Sequence, residues 1–184
     1  MKTTDLALGS LLTLGVIIYW NPNAATQSQQ SVQPAGQQAR VGFAGELSNI
    51  DALREAIIGK ESGGDFTAIN PHSGALGYGQ VMPENLPSWS QAALGREISV
   101  NEFLNSPDLQ IQIINHKLQE YWNHQIKAGY DKETAVRRVA SMWYSGQGDL
   151  YDDPTPQTYG AGSYPSIREY TLSILNKVKS ISPF

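Results

Sequence analysis

The sequence predicts a mainly α-helical domain with room for one small β-hairpin. Apolar residues recur at helical spacing in four stretches of the chain, and each stretch begins at a residue type that caps helices. Alternating apolar and polar residues, which would indicate strands, are scarce. The chain has 184 residues, of which 40% are hydrophobic, so we expect one domain with its own core.

The N-terminal part of the chain differs in composition from the rest. Residues 6–20 are almost wholly apolar and follow Lys2. A helix of this length would be about 22 Å long, shorter than the ~30 Å hydrocarbon core of a bilayer. We therefore expect residues 1–25 to be either a cleaved signal peptide or a retained membrane anchor. Residues 26–45, rich in Gln and Ser, predict a flexible linker. Both alternatives place the domain of residues 46–184 in the periplasm or cell envelope.

The first helix of the domain is predicted over residues 48–58. Ser48 is a suitable N-cap, and two consecutive glycines, Gly63 and Gly64, end the helix. Glu61 therefore lies in the last turn, at the end that carries the negative partial charge of the helix dipole. Three apolar residues share one face of this helix: Leu53, Ala56 and Ile57.

A glycine-rich segment follows at residues 74–79, within a stretch, 67–81, that is long enough for a short hairpin. If the segment folds back over Glu61, it removes water from the carboxyl group. Low hydration and the helix C-terminus both disfavour the charged form, so they raise the pKa of Glu61. An acid that is protonated near neutral pH, beside a glycine-lined cleft, suits cleavage of a glycosidic bond. We therefore predict that Glu61 is catalytic.

Three further helices are predicted from their caps. Ser106 precedes a proline and a helix that ends near Gly129, Asp131 caps the next helix, and Ser166 with Glu169 forms a capping box. A cleft is expected between the first-helix region and these later helices. The predicted apolar faces are Ile111, Ile114, Leu118, Tyr121 and Trp122; then Ala135, Val139, Ala140 and Trp143; then Ile167, Tyr170, Leu172, Ile174, Leu175 and Val178.

Composition excludes several classes of function. The net charge of −4 argues against nucleic acid as the main partner. The absence of cysteine excludes disulfides, thiolate catalysis and cysteine-based zinc sites. The three histidines lack the spacing of metal ligands, so we expect neither a metal nor a cofactor.

Four ordered motifs make residues 46–180 similar to a known enzyme family. The motifs are Glu61-Ser62, GALGYGQVMP at 74–83, ASMWYSG at 140–146 and YPSIREY at 164–170. Together they resemble the catalytic domain of lytic transglycosylases of the soluble type, which is related to goose-type lysozyme. The resemblance implies a lysozyme-like fold and cleavage of peptidoglycan glycan strands. The bond cleaved would be the β-1,4 bond from N-acetylmuramic acid to N-acetylglucosamine, leaving a 1,6-anhydromuramic end. Glu61 would act alone as acid and base.

The resemblance also implies which side chains contact the substrate. The family's third motif usually has Tyr-Asn where this chain has Tyr144-Ser145, and a family serine falls on Pro71, with Ser73 nearby. From the residues alone, Ser62 either orients Glu61 or satisfies a helix-end carbonyl. Trp89, expected in a loop, either packs in the core or stacks on a sugar. The implied substrate contacts are Ser62, Ser73, Gln80, Tyr144, Ser145 and Tyr170.

Two alternative functions remain open at this point. One is a muramidase that hydrolyses the same bond and needs a second carboxylate facing Glu61. The other is a non-enzymatic peptidoglycan-binding module. The biological setting is open as well, between wall remodelling, lysis, and a secretion, conjugation or phage assembly. The candidates for a second carboxylate are Asp65, which fits a turn, and Asp149, Asp152 and Asp153, which fit a solvated loop.

Overall fold

The computed structural model describes residues 48–159 and 162–184, and this part of the protein is mainly helical. After α5 the chain makes a 3₁₀ turn and then a two-stranded antiparallel hairpin, which leads into α6. The elements in order are α1 (Asn49–Glu61), α2 (Leu86–Leu94), α3 (Val100–Leu104), α4 (Pro107–Lys127), α5 (Lys132–Ser145), the 3₁₀ turn (Gly148–Leu150), β1 (Gln157–Tyr159), β2 (Gly162–Tyr164) and α6 (Ile167–Ile181).

The predicted signal or anchor (1–25) and the predicted linker (26–45) lie outside the described residues. Within 48–159 and 162–184, no helix has both the length and the apolarity to cross a bilayer.

The four predicted helices begin at their predicted caps. In each case the side-chain oxygen of the cap residue accepts the backbone N–H of the residue three positions later. The capping box is complete, since the Glu169 carboxylate also accepts the backbone N–H of Ser166, at 2.8 Å. The cap residues are Ser48, Ser106, Asp131 and Ser166.

The core forms where α1 and α5 each pack against α4 and α6. Side chains such as Leu53, Leu118 and Ile174 are almost wholly buried, and each contributes about 1.5–3 kcal/mol through removal of apolar surface from water. Two predicted face positions are wrong. Ile111 is only half-buried because the buried stripe of α4 runs through Gln110, Ile113, Ile114 and Leu118, and Ile111 lies at its edge. Leu172 is exposed because Thr171, Ile174, Leu175 and Val178 form the buried stripe of α6.

The hairpin lies elsewhere than predicted. Residues 67–81 form turns joined by two isolated β-bridges, and the hairpin is β1–β2, near α6. The backbone at Gly74, Gly77 and Gln80 has φ of 74°, 63° and 50°. Such left-handed conformations turn the chain too sharply for paired strands.

Candidate active site

Glu61, the last residue of α1, is enclosed by neighbouring elements and is 6% exposed. Its Oε1 accepts a hydrogen bond from the hydroxyl of Tyr170 on α6. Its Oε2 is buried and has no hydrogen-bond partner among the described residues. Leaving a buried polar atom unsatisfied costs about 1–3 kcal/mol, so this oxygen is the atom that a bound ligand would satisfy.

Burial raises the pKa of Glu61 to about 8, because the charged carboxylate loses its hydration. The hydrogen bond from Tyr170 and the positive charge of Lys60 lower it by less. The acid is therefore protonated at neutral pH. Because Oε1 accepts the hydrogen bond from Tyr170, the proton of the neutral acid lies on Oε2. This O–H donates to no other group of the described residues.

This raised pKa makes folding stability depend on pH. The ordinary pKa of a glutamate is 4.5, so between pH 4.5 and about 8 the folded state binds the proton that the unfolded state has released. The free energy of unfolding therefore falls as pH rises through that window. We expect Glu61→Gln to match the wild type below pH 4.5 and to be more stable above pH 8, by on the order of 3–5 kcal/mol. Urea unfolding across pH 4–9 measures the difference in the free energy of unfolding. A difference that stays constant with pH would contradict the raised pKa of Glu61.

Tyr170 is held in place by Tyr144 on α5. The two rings stack with centroids 4.3 Å apart and planes 16° apart, and the Tyr144 hydroxyl donates to the carbonyl of Pro165 at 3.1 Å. Burial, followed by the charge of Glu61, raises the pKa of both tyrosines, so both hydroxyls stay protonated. Tyr170 therefore contacts Glu61 directly, and Tyr144 acts through Tyr170.

Removing the Tyr170 hydroxyl is expected to raise the pKa of Glu61 further. The hydrogen bond stabilises the charged carboxylate, so Tyr170→Phe leaves that form less favourable. Carboxyl ¹³C chemical shifts, recorded against pH by NMR, report this pKa. Tyr144→Phe is the matched control because its hydroxyl bonds Pro165 and not Glu61. A pKa that is unchanged in Tyr170→Phe would show that the hydrogen bond does not act on the acid.

The glycine-rich segment is tied to other elements through its backbone. The Ser62 hydroxyl donates to the carbonyl of Tyr78 at 2.9 Å, next to the end of α1. The Trp143 indole N–H of α5 donates to the carbonyl of Gly79 at 3.1 Å. Ser62 makes no hydrogen bond to Glu61; besides Tyr78, its hydroxyl contacts the helix-end carbonyl of Ile58 at 3.5 Å, which is one of the two roles predicted for it. It joins the segment to the helix that ends in the acid.

Gln110, fully buried on α4, is a further residue that positions the segment, and the sequence does not single it out. Its Oε1 accepts the backbone N–H of Tyr78 at 2.8 Å, and its Nε2 donates to the carbonyls of Phe66 and Phe103 at 2.8 and 2.9 Å. The only available signal is a polar residue at a core position of an amphipathic helix.

Gly77 packs directly against Gln110. A Cβ at this position would lie 2.2 Å from Gln110 Oε1, and the backbone φ is +63°. We expect Gly77→Ala to destabilise the fold by roughly 2–4 kcal/mol, because both the clash and the strain oppose it. Gly59→Ala is the control, since a Cβ there meets no atom within 4 Å in a helix, and it should stabilise by about 0.5–1 kcal/mol. If urea unfolding showed that both variants are destabilised, or that both are stabilised, the contact of Gly77 with Gln110 would not explain the result.

A cavity of about 360 Å³ opens beside the segment, between α2, α4 and α5. Its lining includes Gln80, Trp89, Tyr121, Trp143 and Ser145. Trp89 lies on α2 rather than in a loop, and its ring is tilted against that of Trp143 with centroids 5.4 Å apart. The cavity is not lined by α1, so its position differs from the predicted cleft.

The predicted contact residues fall in two places. Gln80 and Ser145 line the cavity, whereas Tyr144 and Tyr170 lie beside Glu61, which does not line it. The glycine-rich segment connects the two places. Ser73 does not line the cavity, and its hydroxyl accepts the N–H of Ala75 at 3.3 Å within a turn.

The four candidate aspartates each have partners other than Glu61. Tyr170 and Lys60 are the side chains that shift the pKa of Glu61, and no carboxylate of the described residues is among them. Nor are three His, Asp or Glu side chains placed to share a metal ion in that part of the chain. Asp65 closes a turn onto Thr67 as predicted; Asp149 pairs with Arg138 at 2.6 Å, Asp152 pairs with Arg137 and Arg168, and Asp153 accepts the N–H of Thr155. Asp149 and Asp152 are exposed, as predicted for a solvated loop, and their arginine partners join this loop to α5 and α6.

No protein-family model, curated protein or solved structure matches this chain. A buried, neutral carboxylic acid with one unsatisfied oxygen, such as Glu61, can donate a proton to a ligand oxygen and later take one back.

Proposed function

We propose that this protein is a peptidoglycan lytic transglycosylase with a lysozyme-like fold, in which Glu61 acts as both acid and base. The observation that carries the proposal is the Oε2 atom of Glu61, which is buried and unpartnered on a carboxyl group whose pKa is about 8. Such a group is a general acid at neutral pH. The four motifs that contain Glu61, Gln80, Tyr144 and Tyr170 resemble those of this family and supply the substrate class.

The reaction consists of two proton transfers through one residue. Glu61 donates its proton to the oxygen that links muramic C1 to N-acetylglucosamine, and the C1–O bond breaks. The carboxylate, stabilised by the Tyr170 hydroxyl, then accepts the proton of the muramic C6 hydroxyl. The C6 oxygen attacks C1 and closes the 1,6-anhydro ring, while Glu61 returns to its protonated state. An intramolecular nucleophile replaces water and gains from proximity.

The arrangement of carboxylates favours this mechanism over hydrolysis. Glycosidases that use water usually carry two carboxyl groups about 5–9.5 Å apart. The candidate partners of Glu61 are committed to arginines or turns, and none of them shifts its pKa. A single acid with an internal nucleophile needs no such partner.

We place the activity outside the cytoplasmic membrane, in the periplasm or cell envelope, where peptidoglycan lies. The apolar run 6–20 and the polar stretch 26–45 support export or anchoring. The partners are glycan strands, in wall remodelling, lysis, or a secretion, conjugation or phage assembly. Cell fractionation with N-terminal sequencing tests this placement, and an intact protein in the cytoplasm would contradict it.

Release of soluble fragments from purified sacculi separates an enzyme from a binding module. We expect the wild type to release fragments at neutral pH, with a rate that falls as pH rises through about 8, because Glu61 then loses its proton. Binding to sacculi without release at any pH from about 5 to 9 would favour the non-enzymatic alternative.

A further inference from the structure

The cavity contains one charged side chain that the chemistry of Glu61 does not use. Glu84 is the single formally charged residue of the cavity lining. Its side chain is exposed, and no hydrogen bond or ion pair joins it to another residue of 48–159 or 162–184. An exposed carboxylate at the wall of a cavity, with no partner among these residues, is available to a ligand.

The walls around Glu84 are aromatic and apolar. Trp89, Tyr121 and Trp143 contribute rings, and Met82 and Met142 contribute thioethers. The volume of about 360 Å³ lies in the range of ~300–1,000 Å³ that is typical of small-ligand sites. Rings of this kind pack against the C–H face of a sugar or against a hydrocarbon chain.

Lys117 contacts this wall but forms no ion pair with Glu84. Its Nζ lies 5.2 Å from the ring centroids of both Trp89 and Tyr121, and it pairs with Glu120 at 2.9 Å. It is not part of the cavity lining. The cavity therefore presents a negative charge, which attracts a cationic group and repels an anionic one.

We infer that the cavity binds a part of the substrate that carries a primary ammonium group, with Glu84 as the partner of that group. This inference rests on the proposed function, because that function supplies the substrate. Peptidoglycan carries such a group in two places. One is the free amine of a diamino-acid side chain in the stem peptide, and the other is the amine of a glucosamine that has lost its acetyl group.

The binding test uses an inactive background, so its result does not depend on turnover. Isothermal titration compares Glu61→Gln with the double variants Glu61→Gln/Glu84→Gln and Glu61→Gln/Glu97→Gln. Glu97 is an exposed glutamate outside the cavity lining and serves as the matched control. The first pair of probes is uncrosslinked glycan–peptide chains with the peptide amine free or acetylated. The second pair is peptide-free glycan chains with glucosamine amines free or acetylated.

We expect acetylation to raise Kd by roughly five- to tenfold for one pair of probes, because it removes a charge-assisted hydrogen bond. The pair that responds identifies the source of the ammonium. The effect should vanish in the Glu84→Gln variant and persist in the Glu97→Gln variant, with all three proteins melting at similar temperatures.

Three results would overturn the inference: no binding of any probe, no response to acetylation, or the same response in all three proteins. Failure of the proposed function looks different. It would appear as wild-type protein that releases no fragments, or releases only hydrolysed ends, whatever the Kd values are.

Discussion

Glu61→Gln is expected to cleave peptidoglycan ~10²–10⁴-fold more slowly than the wild type, since glutamine fills the same space but cannot donate and recover a proton. The rate of soluble-fragment release at pH 6.5 measures the effect. Glu55→Gln is the matched control on the same helix, because it removes only an exposed ion pair with Arg54. A Glu61→Gln variant that releases fragments at a near wild-type rate would remove Glu61 from the mechanism.

Gln110→Met is expected to destabilise the fold by roughly 3–5 kcal/mol. Methionine matches glutamine in length but leaves the carbonyl of Phe66 and the N–H of Tyr78 without the Gln110 amide, whereas the carbonyl of Phe103 still accepts the backbone N–H of Ser106 at 3.3 Å. The variant should also lose specific activity, because Gln110 holds Tyr78, which Ser62 joins to the helix end that carries Glu61.

Gln119→Met provides the control on the same helix. Its amide is exposed and donates to the side chain of Asn123 at 2.8 Å. Urea unfolding and fragment release should both stay near wild type. If the two substitutions changed stability and activity equally, the buried hydrogen bonds of Gln110 would contribute no more than those of a surface glutamine.

The positions of the helices were predictable because caps and periodicity are local. Ser48, Ser106, Asp131 and the Ser166–Glu169 box each act within three residues of the chain. A cap that involves only neighbouring residues can be recognised from the sequence alone. The buried faces were predicted less well at their edges, where Ile111 is half-buried and Leu172 is exposed, because neighbouring helices decide how much of each stripe is covered.

The candidate site was predictable in part. The position of Glu61 at a helix end next to glycines indicated a proton donor, and the pKa shift has the predicted direction. Its largest cause is burial, which depends on elements far away along the chain. Tyr170, for example, is 109 residues from Glu61.

Contacts between distant side chains lay beyond sequence reasoning. The pairing of Arg138 with Asp149, and of Arg137 with Asp152, joins α5 to the following loop. The sequence predicted correctly that these aspartates are solvated, but it did not indicate their partners. No local sequence pattern specifies which arginine pairs with which aspartate. The hairpin was also predicted in the wrong place. Residues 67–81 include positive φ angles, which favour turns over strands.

The masses of the glycan ends released from sacculi show whether Glu61 acts as a single acid with an internal nucleophile. Digestion in ¹⁸O-labelled water, followed by mass spectrometry, distinguishes the two chemistries. The proposed mechanism predicts 1,6-anhydromuramic ends, which are one water lighter than reducing ends and carry no label. Reducing ends that contain the heavy oxygen would contradict it, and would make water the nucleophile.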